Sequence, residues 1–185
     1  MTALPGLRLL RDRPFDLLQE LERRGRAVAG GRRAADGREW VGVAFRLGSE
    51  TFLVSRDEMR EVMSMPSQLT RVPGARPWVR GLSNLRGQLL PVIDLRQFLG
   101  SGVTPSARIA RVLVLNHRDI PAGLLVDEVL GFRRFAEAEH VPNAPPKLIR
   151  CERFLTGAFR RGGESWPVIS LRRLLEHPSF LQASA

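Results

Sequence analysis

Few residues in this chain are equipped for chemistry. The candidates for ligation, nucleophilic attack or proton transfer are His117, His140, His177, the single cysteine Cys151 and the adjacent acids Asp127 and Glu128. No histidine sits in H-E-x-x-H or another metal-ligand spacing. His177 stands just before Pro178 at a helix end, where a C-terminal histidine is ordinary capping chemistry. His117 follows an apolar run and belongs to a turn. Cys151 lacks the flanking pattern of a nucleophile and reads as a packed thiol. One cysteine allows neither an intrachain disulfide nor a cysteine zinc cluster. Asp127 and Glu128 are neighbours, so in a strand their side chains face opposite ways and make no ready acid/base pair. No Walker loop, G-x-G-x-x-G or G-x-S-x-G occurs. The expectation is no catalytic residue, no metal ligand and no cofactor; an enzyme would have to assemble scattered groups.

The segment from Gly81 to Gly87 holds Asn84, Leu85 and Arg86 before its second glycine. A phosphate cradle would need a helix N-terminus directly after it. An apolar strand follows instead, so a tight β-turn is the better reading. Such a turn pushes Arg86 into solvent. There it is either a solvated turn residue or an interface residue, since a guanidinium forks onto carboxylates while its stem covers apolar surface.

The elements around this turn are short. Val41, Val43, Phe45 and Leu47 alternate with Trp40, Gly42, Ala44 and Arg46, the pattern of a half-buried strand. Gly48-Ser49-Glu50 turns the chain into a second strand, Thr51 to Val54. Ser55-Arg56-Asp57-Glu58 has capping-box form and predicts a short helix carrying Met59, Val62 and Met63 on one face, stopped by Pro66. Strands are expected at Gln68 to Val72, Gly81 to Ile93, Ile109 to Leu115, Ala122 to Val126, around Phe132 to Phe135, Leu155 to Arg160 and Ser165 to Ile169. Short helices are expected over Leu95 to Leu99 and after Ser170. Many short strands with turn signals between them argue for small barrels or sandwiches.

Two windows match at a shift of 76 residues. Residues 81 to 99 read GLSNLRGQLLPVIDLRQFL and residues 157 to 175 read GAFRRGGESWPVISLRRLL. Identities include Gly81/Gly157, Gly87/Gly163, Pro91/Pro167 and Leu99/Leu175. A proline cannot donate to a ladder, so each should lie at an edge or a bulge. The repeat predicts two related barrels. Each alone would bury only about 60% of its surface, so the two should share a hydrophobic interface. A groove between them, flanked by sheet edges, is a natural docking place.

Residues 1 to 38 differ from the rest. Asp12 can cap a helix starting at Arg13-Pro14, with Phe15, Leu18, Leu21 and Val28 at helical spacing. Gly30-Gly31 ends it, and a polar linker runs to Arg38. The segment reads as an appended helix or a partner-docking arm.

The whole chain of 185 residues carries 29 basic and 19 acidic residues, a net charge of +10, and its only lysine is Lys147. The arginines come as scattered pairs rather than a run that suggests a polyanion-binding tail. A basic nucleic-acid-binding barrel is the alternative reading, but the chain has no tyrosine, and its phenylalanines sit mostly in apolar elements. No stretch approaches the ~18 apolar residues of a membrane span, and Arg8, Arg11 and Arg13 interrupt any signal-peptide core. A cytoplasmic location is the default expectation.

The string Gly81-Leu82-Ser83-Asn84-Leu85-Arg86-Gly87-Gln88-Leu89-Leu90-Pro91-Val92-Ile93-Asp94-Leu95 resembles the signature of the CheW-like chemotaxis coupling family, with every fixed position met. The resemblance extends over roughly residues 39 to 177. It includes Phe45-Arg46-Leu47-Gly48, Leu69-Thr70-Arg71-Val72-Pro73 and Gly123-Leu124-Leu125-Val126-Asp127-Glu128-Val129. Within the family, the N-terminal extension and Trp78-Val79-Arg80-Gly81 are most similar to pilus-type members, which serve systems controlling twitching motility. The resemblance implies a mainly β fold of two five-stranded SH3-like barrels with short helices, over 39–177, exchanging near 100–106. A helical extension over 1–38 and a tail over 178–185 flank them. It implies a non-catalytic adaptor bridging the cytoplasmic tip of a chemoreceptor and the regulatory domain of a CheA-type histidine kinase, peripheral to membrane-bound arrays. No nucleic-acid partner and no membrane insertion are expected. The receptor-facing arginine falls on Arg86, with Asn84 beside it, and the groove-lining apolar helix on Met59 and Val62. The resemblance assigns no kinase-contact residue.

Overall fold

The structure is a computed structural model that describes residues 39–106, 108–117 and 120–182. The helix expected from Asp12 and the linker to Arg38 lie outside the described residues. The described chain folds into eleven strands in two curled sheets. The first holds β1 (Glu39–Leu47), β2 (Glu50–Ser55), β8 (Glu128–Ala136), β9 (His140–Val141), β10 (Leu155–Arg161) and β11 (Glu164–Ile169), in the order β8-β1-β2-β11-β10-β9. The second holds β3 (Met59–Ser64), β4 (Val79–Leu85), β5 (Gln88–Asp94), β6 (Arg111–Leu115) and β7 (Gly123–Val126), in the order β3-β6-β7-β5-β4. The helices are short: α1 (Leu95–Phe98), α2 (Leu171–Leu175) and α3 (Pro178–Leu181). The mainly β, two-barrel expectation is met, with six strands rather than the expected five in the first sheet.

The repeat has a backbone cause. In one barrel the bulged start of β4 passes under Thr70, whose N–H and C=O both bond Leu82, at 2.9 and 2.8 Å. A Cβ at Gly81 would stand 2.6 Å from the Thr70 carbonyl oxygen. In the other barrel β9 crosses β10 at the matching place, and a Cβ at Gly157 would stand 2.5 Å from the Val141 carbonyl oxygen. Both glycines have positive φ, 140° and 129°. Pro91 and Pro167 also occupy one role. Each lies one residue before its strand gains a parallel neighbour, at Val92 opposite Gly123 and Val168 opposite Leu53. The missing N–H therefore falls where no ladder bond is needed. Asp94 and Ser170 cap α1 and α2, accepting from the N–H groups of Gln97 and Arg173.

Several expectations are corrected. Residues 57–63 are not a helix. A single 3-10 turn, Arg56–Glu58, leads directly into β3, which pairs antiparallel with β6. The strand expected at 68–72 reduces to the one bridge at Thr70. The chain changes sheet at Arg56–Glu58 and again at Asp127, not near 100–106, which joins α1 to β6 within one barrel. A Gly/Ser/Pro-rich stretch marks a loop, but the pairing partners decide where a sheet ends. The middle of β1 is buried on both faces: Val43, Phe45 and Leu47 enter one core while Ala44 and Trp40 enter another. Residues 178–182 are not a free tail, since Phe180 is buried. His177 caps the start of α3, its Nδ1 accepting from Ser179 N–H at 3.2 Å.

Three apolar clusters result. Ala44, Leu53, Phe135, Phe159 and Val168 fill one barrel; Val92, Ala110, Val112 and Leu125 fill the other. The largest cluster lies between the barrels, with twenty-two buried residues drawn from both, including Phe45, Phe52, Leu113, Leu124, Ile169 and Leu174. At about 1.5–3 kcal/mol for each large side chain fully buried, the shared interface outweighs either barrel interior. Neither barrel is independent of the other.

Candidate functional site

An open cleft of about 300 Å³ lies between the two sheets. One wall is the first crossing and the edge strand it feeds: Arg56, Asp57, Met59, Arg60, Glu61 and Val62. Phe132, on the edge strand β8 of the other barrel, forms the opposite side, and Asn116 lies at the end of β6. Met59 turns toward the shared core and is 9% exposed, whereas Val62 is 38% and Phe132 62% exposed. The cleft thus joins apolar surface from both barrels under a basic rim.

Arg86 stands at that rim. Arg86 and Gly87 form the two-residue loop joining β4 to β5, with Leu85 opposite Gln88. Their φ values, 52° and 84°, are those of a type I′ turn, the hairpin turn that matches strand twist. The other barrel closes the same hairpin with Gly162 and Gly163, at 59° and 82°. Arg86 is the only non-glycine with positive φ among the described residues. Its guanidinium donates to Glu61 Oε2 at 2.8 Å, and its side chain remains 70% exposed. β3 and β4 are the opposite edges of their sheet, so this contact joins the hairpin tip to the far edge.

The four residues expected at a docking site divide. Met59 and Val62 line the cleft, as strand residues rather than helix residues. Arg86 reaches it through Glu61. Asn84 is placed differently: its Oδ1 accepts the Gly87 N–H at 2.8 Å and shapes the turn that presents Arg86. Sequence reasoning missed Phe132. A signal existed, because Phe132 and Phe135 are three residues apart in a strand and must face opposite ways. With Phe135 buried, Phe132 points out.

The groups with catalytic potential are occupied elsewhere. Asp127 Oδ2 accepts the Gly48 N–H, while Glu128 pairs with Arg46 at 2.5 Å. His177 lies between Ser179 N–H and the Arg153 guanidinium, His140 packs edge-on against Phe159, and His117 Nδ1 accepts from Ile120 N–H. Cys151 is fully buried, and burial pushes its thiol up to about 11. Among the described residues no cluster of His, Cys, Asp and Glu could hold a metal ion.

Comparison with known proteins agrees with this geometry. The CheW-like domain pattern matches residues 41–179. The chain is 38% identical to Protein PilI of Pseudomonas aeruginosa over 173 residues, 92% of this chain and 96% of that one. It is 31% identical to chemotaxis protein CheW of Thermotoga maritima over 100 residues, 54% of this chain and 65% of that one. The crystal structure of scaffolding protein TtCheW from Thermoanaerobacter tengcongensis superposes with a TM-score of 0.67 at 26% identity, covering 76% of this chain and 95% of that one. With its signature hairpin, its paired barrels and this near-complete match, the chain belongs to the CheW-like domain family.

Proposed function

We propose that this protein is a non-catalytic coupling scaffold. It holds the cytoplasmic tip of a chemoreceptor against the regulatory domain of a CheA-type histidine kinase, in a pilus-type system controlling twitching motility. Family membership supports the class of function, and the likeness to PilI over nearly both chains supports the pilus-type placement. No helix among the described residues is long and apolar enough to cross a membrane, which fits a partner that meets membrane-bound receptors from the cytoplasm. The observation that carries the reading is Arg86. A hairpin turn that takes Gly-Gly in the other barrel here holds an exposed arginine in the left-handed region, bonded to Glu61 in the wall of the cleft. Backbone strain of this kind is kept where a side chain is needed.

In this mechanism a receptor helical hairpin lays an apolar stripe onto Val62 and Phe132, above the largely buried Met59, and Arg86 forks onto a carboxylate nearby. Asn84 acts through the turn. Signal passes when the receptor state alters this contact, and about 1–3 kcal/mol of coupling is enough. The test is a titration of a purified receptor tip against the full chain and Arg86→Glu. Tenfold or greater weakening in a folded variant is expected from loss of a charged rim contact, on the order of 1.4 kcal/mol; unchanged affinity would remove Arg86 from the site. The nucleic-acid reading has little behind it in the structure: Phe132 is the one strongly exposed aromatic side chain among the described residues, so successive bases find no stacking platform.

A further inference from the structure

We infer that Glu58 is a positioning residue for the cleft, locking the wall it belongs to against the other barrel; this rests on reading the cleft as the docking groove. Glu58 closes the Arg56–Glu58 turn, the first of the two places where the chain passes between sheets. Its sequence context is that of a capping box, in which its carboxylate would fold back on its own turn. It does something else. Oε2 accepts the Leu171 N–H at 2.8 Å, and Oε1 accepts the Ser170 hydroxyl at 2.9 Å and the Arg172 N–H at 3.4 Å. A carboxylate of one crossing thus sits on the first turn of α2, an element of the opposite barrel.

The same crossing is pinned from below. Asn116 donates its N–H to the Glu58 carbonyl and its side-chain amide to the Asp57 carbonyl, each at 3.0 Å. Arg56, Asp57 and Met59, the residues on either side of Glu58, line the cleft. The second crossing repeats the device. Asp127 accepts the Gly48 N–H from one barrel and lies 3.5 Å from the Arg96 guanidinium of the other. Each crossing therefore carries one carboxylate that ties the two barrels together. These are the places where a hinge between barrels would bend, and charge-assisted hydrogen bonds are the strong ones. Glu58 sets the position of the wall bearing Met59 and Val62 relative to Phe132.

The test reads the cleft directly. Spin labels are placed at Val62→Cys and Phe132→Cys in the full chain; Cys151 is buried and stays unlabelled. Glu58→Ala is expected to broaden the label-to-label distance or shift it by about 2 Å, the scale of a packed-element shift. In the unlabelled chain it is expected to weaken receptor-tip binding about tenfold. Val92→Ala, a buried change inside the second barrel on β5, serves as the control for a merely structural loss: it lowers the melting temperature and leaves the distance unchanged. Should Glu58→Ala not fold, Glu58→Gln, which keeps one acceptor oxygen, is expected to give an intermediate shift. A wild-type distance distribution in the folded variant overturns the inference. If the unmodified chain fails to bind the receptor tip, the docking reading falls, and the distance measurement still decides the role of Glu58.

Discussion

The guanidinium of Arg86 lies 2.8 Å from the carboxylate of Glu61, although the two residues stand on opposite edges of one five-stranded sheet. The pair closes the curl of that barrel at the mouth of the cleft. It also restrains an arginine whose backbone sits at φ 52°. Surface pairs of this exposure contribute about 0–1 kcal/mol, so the contact orients Arg86 more than it stabilises the fold.

Arg86→Gly separates binding from stability. Glycine suits the left-handed turn, as Gly162 does in the other barrel. Relief of the backbone strain is offset by the freer unfolded chain, and stability should stay within about 1 kcal/mol of the parent. Receptor-tip affinity should fall as far as in Arg86→Glu. A melting curve and a binding titration on the same sample check both halves.

Gly81→Ala and Gly157→Ala should each be severe. The added Cβ would meet a backbone carbonyl oxygen at 2.6 Å or 2.5 Å, at a φ that other residues rarely adopt. Because main chain rather than a flexible side chain must give way, a loss on the order of 2–4 kcal/mol is expected in denaturant titrations. An alanine at the open turn position Gly162, with nothing near its Cβ, should cost about 1 kcal/mol, from backbone strain alone.

Asp94 is fully buried and accepts from Gln97 N–H, Thr104 N–H and the Thr104 hydroxyl at 2.8–3.1 Å. Arg80 stands 3.5 Å away. Asp94→Ala strips the cap of α1 and orphans the Thr104 donors, at a cost of about 2–4 kcal/mol. Asp94→Ser, the residue found at the matching position 170, keeps the cap and should recover part of it. Chemical denaturation of the three proteins gives the order.

Phe180 packs on Phe98 with ring centroids 5.5 Å apart, in a cluster with Trp78 and Phe154. Ending the chain at His177 therefore removes core. Truncation or Phe180→Ala should destabilise by about 3–5 kcal/mol. A melting temperature equal to that of the full chain would show that α3 contributes nothing.

Cys151 should be silent to thiol reagents in the folded protein at pH 8 and react on unfolding. Its folded thiol is raised from the ordinary 9.0 to about 11 by burial, so the folded state holds the proton that the unfolded state releases. This contribution to stability is complete below pH 9 and is lost as pH rises toward 11. Cys151→Ala should flatten that part of a stability-versus-pH curve.

What the chain determined by itself was local. Gly81 and Gly157, Pro91 and Pro167, Asp94 and Ser170 stand at positions whose backbone demands only certain residues can meet, so the repeat, the hairpin turn and the caps could be read without any partner strand. The continuous apolar runs that became β6 and β7 likewise reported burial directly, since those strands are buried along nearly their whole length. The tertiary structure decided what depends on distant partners. Met59, Val62 and Met63 fit a helical spacing, but β6 offers a ladder, and the segment became a strand. Glu58 had the form of a cap and found the first turn of α2, more than a hundred residues away. Which strands share a barrel, which residue faces Arg86, and that Phe132 completes the cleft are likewise set by non-local pairing. Such pairing is chosen by the burial of a shared core between two sheets, and no single window of sequence contains it.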